Sequence, residues 1–127
     1  MRWPAANAAL LDVRGPGVMD DSGRVSEEDA EIIWSGEIEC ALSRRHETVV
    51  EADTSTPVEI DVLKVRKPPD AVATARPGDP GSGYTVLIED RRTATPKQSR
   101  WRINAAEHKG KGEAEVARFE LVDERTP

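Results

Sequence analysis

Apolar and polar residues alternate along the C-terminal part of the chain with the period of two that is typical of half-buried strands. The apolar faces of two such segments consist of Trp101, Ile103 and Ala105, and of Ala117, Phe119 and Leu121. Between them, residues 109–112 have the sequence Lys-Gly-Lys-Gly, and glycine readily adopts the positive φ that a hairpin turn needs. The pattern therefore predicts a β-hairpin over residues 100–124.

A third strand is predicted over residues 84–89, where Tyr84, Val86 and Ile88 share one face. A two-stranded hairpin is only marginally stable alone in water, so the hairpin needs more sheet beside it. The three strands form an antiparallel meander whose apolar face holds most of the chain's few aromatic residues. We expect its core to contain Trp101, Ile103, Phe119, Leu121, Tyr84 and Val86.

The rest of the chain also favours short strands separated by turns. Further strands are predicted over residues 10–14, 32–34, 38–42 and 58–66, with the second of them ending at Ser35-Gly36. Ser26 followed by three acids could instead begin a helix, and residues 70–76 are either a short strand or an extended link. Two polar segments remain, a long loop or extended arm over 43–57 and a hairpin loop over 91–99.

These elements predict one all-β domain over residues 1–127, with its core in 8–123. About six or seven antiparallel strands indicate a small β-barrel or sandwich with long polar loops. A length of 127 residues suits a single modest core, and 33% charged residues leave that core thin. No apolar run is long enough to span a membrane, and the apolar segment near Met1 is too short for a signal peptide.

The lone Cys40 excludes an internal disulfide and agrees with a reducing cytoplasm. We expect it to be inert and buried in a strand. Charge is uneven along the chain, with a net −8 over residues 1–60, +5 over 61–112 and −3 over 113–127. Head-to-tail contact between identical copies would match basic with acidic surface. A folded domain that mixes these charges in space is the equal alternative.

Candidate chemistry is sparse. His46, His108 and Cys40 have no metal-ligand spacing. Residues 20–31 begin and end with acids like a calcium loop, but Arg24 and Val25 occupy positions that need an oxygen ligand and a glycine. The Gly-x-Gly triplets mark turns rather than phosphate-binding loops, because none follows a strand and opens a helix. The sequence thus predicts no enzyme, no metal and no cofactor.

One basic segment is the candidate partner interface. It consists of Arg91, Arg92, Lys97 and Arg100. Arginines on an exposed loop can meet phosphates, and the adjacent Trp101 could stack on a base, but its alternation with Ile103 favours a place in the core. Because the chain's net charge of −6 opposes duplex binding, we expect the loop to contact an acidic protein surface.

The order of these signals resembles a known family. The motifs are a short first strand followed by DDSGR at 20–24, EIIWSGEIECAL at 31–42, RPGD at 76–79, and the ending YTVLIEDRRT, RWRINAAEHKG and ARFELV at 84–93, 100–110 and 117–122. Across residues 8–123 the chain resembles the head-to-tail joining proteins of tailed bacteriophages, called head-closure or stopper proteins. That family has no catalytic residues.

The resemblance implies a structural protein of the virion neck, the head-tail connector, assembled in the bacterial host cytoplasm. Its partners would be further copies in a dodecameric or hexameric oligomeric ring, the portal or adaptor protein, and tail proteins. The ring would help retain packaged DNA, which passes its channel without sequence-specific contact. Glu47, Glu51 and Asp53 are the candidate channel-lining residues, because an acidic wall repels phosphates and lets the duplex slide.

Two readings from other classes stay open. The first is a monomeric small β-barrel protein-binding module of the inhibitor or immunity type, which offers acidic surface to a basic target. The second is a small enzyme with an unrecognised site, for which no residue gives positive evidence. Mixing the chain with portal or tail components would separate the first from a joining protein.

Overall fold

A computed structural model describes residues 6–19, 22–23, 25–26, 30–78, 83–112 and 115–123. Within these ranges the chain forms eight strands and one short helix. They are β1 (Ala8–Arg14), β2 (Val18–Met19), β3 (Val25–Ser26), β4 (Ile32–Glu51), β5 (Thr54–Arg66), α1 (Asp70–Ala73), β6 (Thr85–Asp90), β7 (Lys97–Lys109) and β8 (Val116–Asp123). The prediction of an all-β fold is confirmed.

Six strands close into a ring in the order β1, β4, β5, β8, β7, β6, and β6 pairs again with β1. All pairings in this ring are antiparallel, and we call it the barrel. The registers of β1 with both neighbours shift between Leu10 and Asp12, and that of β7 with β8 shifts between Ile103 and Ala105. Such bulges bend and twist strands, which helps a narrow sheet to close. Strands β2 and β3 form a separate two-stranded sheet.

The core lies inside the barrel and includes the C-terminal meander that the alternating pattern predicts. Phe119 and Ile103 are 1% and 0% exposed, and Trp101 is 7% exposed. Leu121 and Val86 are also buried, whereas Tyr84 precedes β6 and packs partly buried against the core. The turn between β7 and β8 contains Gly110 and Gly112, whose φ angles are 80° and 59°. The glycines thus meet a conformational need that other residues would satisfy poorly.

Strand β4 corrects two predictions. It passes through Ser35-Gly36 without ending, because β1 pairs with it on both sides of Gly36, at Ser35 and at Ile38. The Trp34 ring covers Gly36, where a Cβ would lie 2.9 Å from Trp34 Cζ2. Strand β4 also continues to Glu51 and pairs with β5 as far as Thr54. Most of 43–57 is therefore strand and not loop, so the extended-arm interpretation applies. We call residues 43–60 the arm.

Residues 70–76 also differ from the predicted strand or extended link. Asp70–Ala73 form a single helical turn, whose N-cap Pro69 has φ −58° and ψ 154°. Val72 and Ala75 from this segment are buried in the core, and that burial outweighs the weak propensity of so short a helix. Ser26, the alternative helix start, lies in β3 opposite Val18. Residues 27–29, and much of the calcium-like 20–31 segment, fall outside the described residues.

Candidate interaction surfaces

The arm is the most exposed part of the described chain. Residues 43–57 are all exposed. In the described ranges β1 pairs with β4 only as far as Cys40, and β8 pairs with β5 only from Asp61 onward. Both outer edges of the arm therefore lack a described strand neighbour. A two-stranded ribbon with free edges is an interaction-prone element, because its unpaired backbone groups can accept a further strand.

The base of the arm is fastened by a side chain instead of another strand. The Asn7 amide donates from Nδ2 to Leu42 O at 2.8 Å, and Asn7 Oδ1 accepts from Leu42 N at 2.7 Å. These two bonds imitate one more pair of the β1–β4 ladder. Beyond Leu42 the arm leaves the barrel.

The two faces of the arm differ in character. Because residues directly opposite in an antiparallel pair share a face, Arg44 and His46 lie with Glu59 and Asp61. Arg44 forms ion pairs with Glu59 at 3.3 Å and with Asp61 at 3.2 Å, and His46 Nδ1 is 3.7 Å from Glu59. The other face bears Arg45, Glu47, Val49 and Glu51 opposite Ile60, Val58, Thr56 and Thr54. It has the β-branched composition that favours strands.

The distal half of the arm gathers the three acids proposed for a channel wall. Glu47 and Glu51 lie on one face and are exposed, and exposed Asp53 lies in the turn. That turn has two residues, Ala52 and Asp53, with φ angles of 45° and 68°. Val49 and Val50 are 42% and 68% exposed beside them. The arm thus carries both acidic and apolar surface far from the barrel.

The basic segment is divided by the structure. Arg91 and Arg92 lie in the loop between β6 and β7, while Lys97 begins β7 and Arg100 lies within it. Arg91 binds Glu37 and Glu89, and Arg92 binds Asp90 at 2.7 Å. The hydrogen bond from Arg92 lowers the pKa of Asp90, and the bond to Glu89 raises the pKa of Arg91. Most of the loop's positive charge is therefore matched by carboxylates of the same chain.

Arg100 belongs to a polar cluster on the outer face of the barrel that the sequence prediction missed. Its guanidinium donates to Asp12 Oδ2 at 2.9 Å and to Thr85 Oγ1 at 3.0 Å. Arg14 Nε lies 3.7 Å from the same Asp12 oxygen. The sequence feature that could have predicted this cluster is Asp12, an acid between Leu11 and Val13 in an apolar strand. A buried carboxylate beside arginines serves here to join β1, β6 and β7.

The basic end of the barrel, which we define as residues 64–67, 107–112 and 115–116, lies where β5 ends and β7 turns into β8. Its bases are Lys64, Arg66, Lys67, Lys109 and Lys111, all exposed. His108 Nε2 lies 2.7 Å from Glu115 Oε1, and Lys109 Nζ lies 2.7 Å from Glu107 Oε1. The bond from Lys109 lowers the pKa of Glu107. Residues 64–67 and 107–116 contain five bases and three acids.

The described residues offer little for catalysis. Burial raises the pKa of the Cys40 thiol to about 12, so Cys40 holds almost no thiolate at neutral pH. The described part of the chain contains no group of three or more His, Cys, Asp or Glu side chains placed to hold a metal ion. Within it no helix is both long and apolar enough to cross a membrane.

Comparison with known proteins gives no match: no family model, curated protein or solved structure is similar to this chain at a significant level. The function has to be inferred from the chain's own surfaces. Among them the arm is the element that the barrel does not need for its core, since the residues that fill the core end at Leu42 on β4 and begin at Leu63 on β5.

Proposed function

We propose that the chain is a structural subunit of a bacteriophage head-to-tail connector, of the head-closure or stopper type. It would form a ring between the portal or adaptor and the tail, and would help to retain packaged DNA. The resemblance of the motifs over residues 8–123 suggests this class, and the closed β fold agrees with it. In this role the chain performs no reaction.

The observation that carries the proposal is the arm. Eighteen residues, 43–60, leave the barrel as a two-stranded ribbon, and residues 43–57 of it are exposed on both faces. Such a ribbon is only marginally stable in water by itself, and unpaired strand edges can pair with the strands of other chains. A protein gains from keeping it when a permanent neighbour covers it, as in a ring or a stacked assembly.

Two further features support an assembled subunit. With 33% charged residues in the chain the core is thin, and part of the stability of such a chain can come from its neighbours. The arm's distal acids would be compatible with DNA passing nearby, because carboxylates repel phosphates. The loop at 91–96 contributes less to partner binding than its sequence predicts, because its arginines are already paired within the chain.

Deleting the gene from the phage that encodes the chain tests the proposal. We expect DNA-filled heads that lack tails, or heads that have lost their DNA, and rescue by the wild-type chain supplied from a plasmid. Normal tailed particles in the deletion strain would overturn the proposal. A catalytically silent binding module of another kind would leave particle morphology unchanged, so electron microscopy separates the two.

A further inference from the structure

We infer that the acidic tip of the arm of one copy docks against the basic end of a second copy. The acidic tip is residues 47–58, which contain three acids and no base. The inference rests on the proposed function insofar as it supplies the contact between neighbours in the ring. It assigns the arm to a protein contact, whereas the sequence alone suggested a channel wall.

The acidic tip of one copy is too far from the basic end of the same copy to contact it. Strand β5 begins at Thr54 in the turn region of the arm and ends at Arg66 in the basic end. Thirteen residues of strand span roughly 40 Å at about 3.3 Å per residue. The complementary charges therefore lie at opposite ends of one strand. A contact between them joins two different patches, and such heterologous contacts form rings when the rotation closes.

The tip has the apolar surface that a protein contact needs. Val50 is 68% exposed and Val49 is 42% exposed on the opposite face. In a water-filled channel beside DNA these side chains would stay hydrated, whereas docking on a neighbour would bury them. The outer edges of the arm, which have no strand neighbour among the described residues, also offer backbone groups to a strand of that neighbour.

The basic end offers a matching edge. Strand β6 pairs with β7 only from Lys97 to Arg102, so residues 105–109 of β7 have β8 on one side and no described strand on the other. Lys109, which is paired with Glu107, ends this stretch of β7, and Lys111 follows in the turn. Complementary charge would set the orientation of the tip, and backbone pairing would add affinity.

Charge reversal tests the contact. One variant carries Glu47→Lys with Glu51→Lys, and the other carries Lys109→Glu with Lys111→Glu. Sedimentation velocity at low ionic strength should show association of the wild-type chain, at least about tenfold weaker association for each variant alone, and recovery when the two are mixed. Glu31→Lys with Glu39→Lys is the matched control, because it changes the charge equally at exposed positions outside the arm. The control should associate like the wild type.

Thiol cross-linking gives a second measurement that does not depend on charge. Glu51→Cys in one copy and Lys111→Cys in another should form a disulfide-linked dimer on mild oxidation, while Glu39→Cys with Lys111→Cys should not. Buried Cys40, 4% exposed, does not compete. Absence of the first dimer, or unchanged association of the reversed variants, would overturn the inference. A wild-type chain that stays monomeric in the sedimentation experiment would also overturn the inference.

The two proposals fail separately. If the wild-type chain is present in the neck of virions but the reversed variants still enter the neck and associate normally, the tip contact is wrong and the connector role stands. If the wild-type chain is absent from the neck, the connector role is wrong, whatever the tip does in solution.

Discussion

Asn7 and Leu42 are joined by two hydrogen bonds that replace a missing strand pair. The side chain of Asn7 donates to the Leu42 carbonyl and accepts from the Leu42 amide, at 2.8 and 2.7 Å. The backbone of Asn7 continues the connection by donating to Cys40 O and accepting from Arg91 N. One residue before β1 thus binds β4 at the point where the arm leaves the barrel, and it reaches the loop after β6.

Replacing Asn7 with alanine should destabilise the chain by about 1–3 kcal/mol, because the Leu42 amide and carbonyl lose their partners. Asn7→Asp is the matched control: it keeps an acceptor for the Leu42 amide but cannot donate to the carbonyl when ionised. The stability of Asn7→Asp should lie between that of the wild type and that of Asn7→Ala. Urea unfolding measures all three chains. Equal midpoints for the wild type and Asn7→Ala would show that water replaces the clamp without cost.

Replacing Phe119 with alanine should destabilise by about 3–5 kcal/mol, the range for emptying a buried aromatic site. Phe119 is 1% exposed and lies opposite Leu63 of β5, which is 0% exposed. Val122→Ala on the same strand is the control, because Val122 is 38% exposed and little packing is lost. An unchanged urea midpoint for Phe119→Ala would contradict the register of β8.

The turn of the arm can be improved. Ala52 has φ 45°, a left-handed conformation that costs alanine about 1 kcal/mol and asparagine less. Ala52→Asn should therefore slow hydrogen exchange of the arm amides by up to about fivefold, because it regains at most about 1 kcal/mol. Ala106→Asn, at an exposed position of β7, should give the arm no such protection. Faster exchange in Ala52→Asn would exclude strain at this turn.

Cys40 should make stability fall at high pH. Its thiol pKa is raised from 9.0 to about 12 in the folded chain, chiefly because burial disfavours the thiolate. Between these pH values the thiol of the unfolded chain loses its proton while the thiol of the folded chain keeps it. The contribution of Cys40 to the free energy of unfolding, fully present below pH 9.0, is therefore lost as the pH rises. Unfolding midpoints of the wild type and Cys40→Ala should converge over this window. A constant difference between the two chains would contradict it.

The parts of the fold that sequence could predict are those with one buried face. Trp101, Ile103 and Phe119 alternate with polar residues because one side of each strand packs on the core and the other meets solvent. The arm lacks that contrast. Residues 43–57 are exposed on both faces, so alternation carries no signal there, and the sequence predicts only a long loop or extended arm.

The features of the fold that the sequence could not predict depend on contacts between residues distant in sequence. Nothing local to Gly36 shows that β4 will continue through it by pairing with β1, and closure needs β1 to pair with β6 across the chain. Arg91 and Arg92 lie in the loop between β6 and β7. Their pairing with Glu37 and Asp90 is set by neighbouring strands, so the sequence overestimated the charge left for a partner.

The connector role is tested most directly by a cryo-electron-microscopy reconstruction of the neck in particles released by cells that encode the chain. We expect a ring of barrels between portal and tail, into which the six-stranded fold fits, with each arm tip resting on the basic end of the next copy. A neck fully explained by other proteins, with this chain absent from purified particles by mass spectrometry, would contradict it.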